Sequence, residues 1–227
     1  MNYSEVMKRL KTLGTEQNRK IYQRHGAGDK TFGVSFANLS TLKKQINTDH
    51  DLASELWASG NTDAQTLATM IANPEKMNKS ELDKWLKDIH YYMLIDVFVA
   101  HLVSKSPHAQ SRMEKWTKSK DEWVGRAGWQ LLAQLAMKKN ELPDIYFEEY
   151  LKTIRKSIHG SRNRTKDAMN NALIAIGMRN STLEKRALAV AADIGKIDVD
   201  HGVTSCKTPD AVSYIKKVKK RKKGRKR

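Results

Sequence analysis

One carboxylate in this sequence lies where a carboxylate is costly. Asp96 interrupts an otherwise apolar stretch from Tyr91 to Val103, which predicts a helix that is buried on most sides. A carboxylate there needs a charged partner, hydrogen bonds or a raised pKa. Tyr92 precedes Asp96 by one helical turn, so the two side chains could line a pocket in which a ring flanks a carboxylate. The alternative, which the helix alone favours, is a structural Asp that pairs with an Arg or caps a neighbouring helix.

A second cluster begins at Trp123. Trp123 and Arg126 fall on one helical face, where the guanidinium could bind a phosphate in a bidentate manner with the ring beside it. Arg126 could equally be the structural partner of Asp96, and the sequence leaves the two roles about even. Gly125 and Gly128 are costly inside a helix, so they predict the close approach of another helix or backbone segment.

Three cations are concentrated in the segment 160–166, at a predicted helix start. Backbone amides and the charges of Arg162, Arg164 and Lys166 could bind a phosphate together, and a solvated turn is the alternative. The histidines lack metal-binding spacing, and no nucleophile elbow, phosphate loop or dinucleotide fingerprint occurs. Cys206 is the only cysteine, which excludes a disulfide framework and a cysteine-rich zinc site. We therefore expect no metal and no cofactor.

Helical periodicity runs through almost the whole chain and must position these residues. Apolar side chains recur at i, i+3, i+4 and i+7, and no convincing run alternates with period two. Three capping boxes, each a short polar residue three positions before a Glu, are predicted at Asn78, Ser119 and Ser181. Prolines fall between periodic segments, 33 and then 36 residues apart, at Pro74, Pro107 and Pro143.

A repeated segment indicates the fold class. Leu82–Lys87 resembles Met113–Lys118, and each places an apolar residue three positions before a Trp. With the proline spacing, this predicts an all-α protein, a superhelical stack of antiparallel helix pairs of the HEAT-like type, with an extended concave surface. We predict a repeat domain over 1–194, a linker over 195–209 with a short extended segment near 197–199, and a basic helix or tail over 210–227. The segment 26–38 is predicted to be a loop.

The positive net charge indicates a polyanionic partner, and nucleic acid is the first candidate. The formal net charge is +17, and ten of the twelve residues from Lys216 to Arg227 are Lys or Arg. The rest of the chain still has 32 basic and 25 acidic residues. We expect the tail to be disordered or a frayed helix continuing from Asp210, which either binds phosphates without specificity or only aids solubility. No signal-peptide pattern or membrane-spanning run occurs, so we expect a cytoplasmic protein. We also expect a monomer, which would be associated with the nucleoid if its polyanionic partner is DNA.

These residues together carry a resemblance to a known family. From about Thr31 to about Leu188 the sequence resembles the AlkD-like DNA alkylation-repair glycosylases, which have HEAT-like helical repeats. Glu55–Trp57 matches the family's Glu-Leu-Trp motif, and Tyr91–Asp96 is similar to its Trp-Trp-Asp-Ser-Val-Asp motif. Lys115–Ser119, followed by Trp123–Ala127, resembles its Lys-Trp, Ser, Trp-x-x-Arg-Ala series. The segment from Thr31 to Lys43 is similar to its early glycine-containing segment and basic helix.

The resemblance implies a function and a set of site residues. The family binds duplex DNA in a basic groove and hydrolyses the N-glycosidic bond of cationic N3- or N7-alkylpurines without a cofactor. Asp96 matches its catalytic Asp, which stabilises the developing cationic sugar, and Tyr92 matches an aromatic residue beside the lesion. The DNA-binding residues implied or suggested are Arg126, Trp123, Arg162, Arg164, Lys166, Lys43 and Lys44.

The sequence also departs from the family pattern. Tyr92 replaces one active-site Trp, and Asn171 stands where the family has a second Trp beside the lesion. These departures leave two functions open. The chain is either a glycosylase acting on alkylated duplex DNA or a non-catalytic HEAT-like module that binds duplex or branched DNA. A protein-binding scaffold with an apolar concave face is a third, weaker alternative.

Overall fold

The computed structural model describes residues 1–138 and 142–224, with side chains described as far as residue 220. Within these ranges the chain forms helices and no β-strand, so the all-α prediction is confirmed. The α-helices are α1 (Tyr3–Leu13), α2 (Glu16–Arg24), α3 (Phe36–Ile46), α4 (His50–Ala58), α5 (Thr62–Ile71), α6 (Lys79–Lys87), α7 (Tyr92–His101), α8 (Ala109–Trp116), α9 (Glu122–Met137), α10 (Asp144–Ser157), α11 (Asn163–Arg179), α12 (Ser181–Ile194) and α13 (Ala211–Gly224). A short 3-10 turn, Val103–Lys105, follows α7.

The chain divides into two compact units. Unit 1 comprises residues 1–112 and 201–205, and unit 2 comprises residues 113–200 and 206–227, of which 139–141 and 225–227 are outside the described ranges. This division follows different lines from the predicted domain boundaries, which stay a prediction. No helix in the described ranges has the length and apolar character needed to cross a bilayer.

Helix starts show where local sequence rules hold. The capping box at Asn78 is confirmed, because its side chain accepts from two backbone amides of α6 and the Glu three residues later reaches back. The boxes at Ser119 and Ser181 are wrong. Asp121 caps α9 instead, accepting from two amides through one carboxylate oxygen, and Asn180 caps α12. In both segments a second polar residue lies within two positions of the predicted cap. Which of the two caps the helix depends on the backbone conformation in the folded protein.

Breaks between helices agree more closely with the predictions. Pro74, Pro107 and Pro143 all lie outside helix interiors, and the segment 195–209 lies between α12 and α13. No strand forms at 197–199. The loop predicted over 26–38 ends at residue 35, because Ser35 caps α3 through a hydrogen bond from the Asn38 amide.

Aromatic packing holds α7 in unit 1. Trp57 of α4 stacks on Trp85 of α6 with ring centroids 4.1 Å apart, and the ring of Phe98 in α7 lies 6.1 Å from Trp57. The Trp57 indole donates to the Asp88 carboxylate at 2.9 Å, which satisfies the polar atom of a largely buried ring. α5 packs against α3, α4 and α7. The helix that carries Asp96 is therefore contacted by α5 and, through the ring of Trp57, by α4.

Close helix contact organises unit 2, where α9 packs against α11. A Cβ added at Gly128 would lie 2.4 Å from the backbone nitrogen of Thr117, and one at Gly125 would lie 2.7 Å from Oγ1 of Thr165. No side chain fits at the first position without moving the backbone. The predicted close approach at both glycines is therefore confirmed.

The last helix is anchored at its start, which the charge pattern did not suggest. Asp210 accepts from the Ser213 amide at 2.8 Å and caps α13. Ile215 is fully buried, and α13 packs against α11 and α12. Lys219 pairs with Glu184 of α12 at 3.1 Å. The basic segment thus begins on a packed helix rather than a frayed one, and its last residues, 225–227, lie outside the described ranges.

Candidate functional site

Asp96 lies on α7, on a part of the helix that is not fully buried. Leu94, Ile95, Phe98 and Val99 are buried, so these positions form the core-facing side of the helix. Asp96 lies among the half-buried residues of α7 and keeps access to solvent. Tyr92, one turn earlier, is half-buried as well. The pair therefore has the accessibility that a ligand-binding carboxylate requires.

Tyr92 is oriented by a residue that the sequence did not reveal. Its hydroxyl lies 2.5 Å from Nδ1 of His25, and the two ring centroids are 5.9 Å apart. His25 follows the last residue of α2 and precedes Gly26, a position that reads as an ordinary helix end. Tyr91 lies edge-on to Tyr92 at 5.8 Å. These contacts fix the Tyr92 ring beside the turn of α7 that carries Asp96.

A second buried carboxylate, Asp63 of α5, holds the loop that leads into α3. Asp63 is 2% exposed and accepts hydrogen bonds from the Thr31 hydroxyl and from the backbone amides of residues 32, 33 and 34, at 2.6 to 3.2 Å. Burial and the nearby Asp63 carboxylate raise the pKa of Tyr22, whose hydroxyl donates to the Val34 carbonyl oxygen at 2.9 Å. This role could not be predicted from the sequence, because an Asp in the first turn of a helix is usually interpreted as a residue that stabilises the helix dipole.

Two lysines, Lys43 and Lys105, lie near enough to the end of α7 to affect the charge state of His101. Lys43 and Lys44 are exposed in the last turn of α3. Burial, together with the charges of Lys105 and Lys43, lowers the pKa of His101, the last residue of α7. We call Lys43, Lys44 and Lys105 the α3–α7 basic surface. Phe36 lies beside it, 47% exposed, with its ring 6.1 Å from that of His101.

Arg126 in unit 2 is buried in an ion pair. Its side chain is 2% exposed and its Nη1 lies 2.8 Å from the Asp167 carboxylate, with a further hydrogen bond to the Arg164 carbonyl oxygen at 3.3 Å. Asp167 of α11 is therefore a carboxylate partner of Arg126, and nothing in the sequence pattern indicated it. This geometry agrees with the structural alternative for Arg126, and a phosphate contact stays a prediction. Trp123, one turn earlier on α9, is half-buried.

The cationic segment around the start of α11 is brought close to α9. Glu122 accepts from the Arg164 amide at 2.6 Å, and the Thr165 hydroxyl donates to the Glu122 carbonyl oxygen at 3.0 Å. The Glu122 carboxylate thus already accepts a hydrogen bond from one backbone amide at the start of α11. Arg162 is exposed, while Arg164 and Lys166 are half-buried. The phosphate site predicted from amides and charges is therefore partly taken by Glu122, and Arg162 is its most accessible cation.

Asn171 lies on α11, one turn after Asp167, and is half-buried. The preceding residue, Asn170, is fully buried and donates to the Pro209 carbonyl oxygen at 2.9 Å, which ties α11 to the segment before α13. The two neighbouring asparagines therefore differ in role: Asn170 is structural, and Asn171 keeps some access to solvent. In the described ranges no cluster of His, Cys, Asp and Glu side chains could hold a metal ion.

Comparison with known proteins places the chain in a family. A family model described as "DNA alkylation repair enzyme" matches residues 6–215. Uncharacterized proteins of Listeria innocua and Listeria monocytogenes are 29% and 28% identical, each over 97% of this chain and 99% of the relative. A solved structure with 32% identity superposes with a TM-score of 0.91, over 98% of this chain and 95% of that one. That structure is described as a new family of proteins related to the HEAT-like repeat DNA glycosylases, with affinity for branched DNA structures.

These similarities confirm the predicted HEAT-like fold, whereas the helices by themselves had confirmed only the all-α class. They also agree with the resemblance found in the motifs around Trp57, Asp96 and Arg126. Since the family model covers nearly the whole sequence, this chain belongs to the DNA alkylation repair enzyme family.

Proposed function

We propose that this protein binds DNA and prefers branched structures to linear duplex. The observation that carries the proposal is the likeness, at 32% identity and a TM-score of 0.91, to a protein described as having affinity for branched DNA structures. The chain itself supports DNA binding through its net charge of +17 and through the exposed cations of the α3–α7 basic surface. Lysine contacts to phosphates give affinity in any sequence, and the arrangement of duplex arms then selects the branched form.

The salt dependence of binding tests this proposal. Each lysine that neutralises a phosphate releases a counterion and adds about 0.9 to the slope of log K against log salt concentration. Lys43→Gln/Lys44→Gln should therefore lower the magnitude of the slope by about 2. Lys84→Gln/Lys87→Gln is a matched control, since Lys84 and Lys87 are exposed in the last turn of α6 as the first pair is in the last turn of α3.

The measurement is fluorescence anisotropy with a labelled four-way junction and a linear duplex of the same base composition, between about 50 and 200 mM salt. The expected result is tighter binding of the junction and a reduced slope for the α3 variant alone. Equal affinity for both DNA forms would remove the preference for branches, and equal slopes for both variants would remove the α3–α7 basic surface from the binding site.

A second candidate function is excision of cationic alkylpurines, supported by the accessibility of Asp96 beside Tyr92. When the N-glycosidic bond breaks, positive charge develops on the sugar. A carboxylate held at that position stabilises the charge and could orient the attacking water. Tyr92, held by His25 at 2.5 Å, would present a ring face to the cationic base or sugar. No general acid is needed, because a cationic purine leaves as a neutral base.

Release of 3- or 7-methylpurines from alkylated duplex DNA tests this second function. Asp96→Asn should abolish release while DNA affinity is retained. Asp51→Asn, at an exposed site in the first turn of α4, should leave release unchanged. If the unaltered protein binds DNA but releases no base above background, the glycosylase function is wrong and the binding function remains.

A further inference from the structure

Unit 2 contains a cavity of about 490 Å³, lined in part by residues of the cationic segment 160–166. It lies where the segment between α8 and α9 meets the segment between α10 and α11, with Gly160 at its edge. Its volume is within the range of small-molecule sites and far exceeds the needs of a single inorganic ion. The buried ring of Trp129 and the side chain of Met169 provide apolar lining.

Hydroxyl groups dominate the polar lining of this cavity. The hydroxyl-bearing residues are Thr117, Ser119, Thr153, Ser157, Ser161 and Thr165. All except Ser119 donate their proton to a backbone carbonyl oxygen, at 2.7 to 3.0 Å. A hydroxyl that donates inward keeps its oxygen lone pairs available. These groups therefore act as acceptors and suit a ligand that carries N–H or O–H donors.

Two cations complete the lining. Lys120 precedes α9 and Arg162 precedes α11, and both side chains are exposed. Neither forms an ion pair with any residue that the structure describes, and no Asp or Glu is among the residues lining the cavity. A lysine and an arginine without a carboxylate partner favour an anion, and the fork of an arginine matches the oxygens of a phosphate.

We infer that this cavity is a nucleotide-binding site, in which Lys120 and Arg162 hold the phosphate and the hydroxyl-lined wall accepts hydrogen bonds from the sugar and base. A bare phosphate would leave most of the volume and the acceptor groups unused. The nucleotide has two possible sources: an unstacked nucleotide of a DNA strand, or a free nucleotide. The first source rests on the proposed DNA-binding function, and the second does not.

Titration calorimetry with deoxynucleoside 5′-monophosphates tests the free-nucleotide source, with the unphosphorylated deoxynucleosides and inorganic phosphate as comparison ligands. Anisotropy with the labelled four-way junction tests the DNA source. Lys120→Gln/Arg162→Gln removes both cations, and each lost charge-assisted hydrogen bond should weaken binding by about tenfold. For the junction, the salt slope should also fall by about 2. Lys185→Gln/Arg186→Gln on α12 removes the same two charges from an exposed surface of the same unit.

A filling variant separates the cavity from its charges. Ser157→Leu keeps both cations and places a larger side chain on the wall, so it should weaken nucleotide binding at least tenfold while leaving thermal stability measurable. Thr153→Leu replaces it if Ser157→Leu fails to fold. Losses confined to the monophosphates identify a free nucleotide, and losses confined to the junction identify a DNA nucleotide. The inference is overturned if neither ligand is affected, if the filling variant has no effect, or if the α12 control loses as much. Junction binding that survives all variants would leave the proposed function intact.

Discussion

The role of Arg126 gives the sharpest test, because its buried ion pair and the family resemblance lead to different expectations. Arg126→Met keeps most of the side-chain volume and removes the guanidinium that lies 2.8 Å from Asp167. If the pair is structural, the variant leaves a largely buried carboxylate without its cation. If Arg126 is chiefly a phosphate ligand, the fold should tolerate the change and DNA affinity should fall.

The geometry sets the size of the effect. Removing one partner of a buried ion pair typically costs about 3–5 kcal/mol, because the remaining charge is left uncompensated. The Asp167 side chain keeps 13% of its exposure, so water can reach it and the lower end applies. About 3 kcal/mol corresponds to a fall in Tm of about 6–12 °C for a chain of this length. Replacing both partners, as in Arg126→Met/Asp167→Leu, should recover most of this loss.

Thermal unfolding followed by circular dichroism measures these shifts, with Arg155→Ala as the control. Arg155 forms an exposed ion pair with Asp193, in which both side chains are about half exposed or more, so its removal should leave Tm almost unchanged. Junction binding by the folded variants supplies the second readout. If Arg126→Met keeps the Tm of the unaltered protein and lowers the salt slope by about 1, the structural reasoning is refuted and Arg126 is a phosphate ligand.

Three further changes test the fold around the site. Asp63→Asn should lower the free energy of unfolding by about 2–3 kcal/mol in urea, because an amide nitrogen then faces a backbone N–H of the loop 31–34. A loss as small as that of an exposed Asp51→Asn would contradict this. Gly128→Ala should destabilise unit 2 by about 3 kcal/mol or more, since its Cβ would lie 2.4 Å from the Thr117 backbone nitrogen. Unchanged stability would show that α9 and the chain at the end of α8 can move apart at little cost. His101→Gln should flatten the loss of stability as pH falls below about 6.5, because burial and two lysines lower the pKa of His101 and the unfolded chain therefore binds the extra proton. A pH dependence equal to that of the unaltered protein would exclude His101 as its source.

Residues whose environment is set within one or two helical turns could be predicted from sequence. The burial of Leu82 and Trp85, and of Met113 and Trp116, follows from matched apolar spacing in two segments, and the structure buries all four. The helix boundaries at the prolines follow from a missing amide hydrogen. The predicted caps at Ser119 and Ser181 were wrong, because in each segment a neighbouring residue offers an equally good hydrogen-bond acceptor. The spacing of residues alone does not show which of the two candidates caps the helix.

Residues whose role depends on a distant partner could not be predicted in the same way. Asp167 is 41 positions from Arg126, and Asp63 is about 30 positions from the loop that it holds. Nothing in the pattern of either segment distinguishes a carboxylate that will meet a guanidinium from one that will face water. His25 and Tyr92, 67 positions apart, are a third case.

The sequence by itself determined the helical fold class, the two glycines at which α9 is approached, and the placement of Tyr92 and Asp96 one helical turn apart on the same helix. These depend on periodicity and local sterics, which act over a few residues. Only the tertiary structure decided that Arg126 pairs with Asp167, that Asp63 holds the loop before α3, and that the hydroxyls and cations of unit 2 line one cavity. Such contacts depend on how turns place whole helices, and the free energy that selects them is shared over many side chains that are distant in sequence.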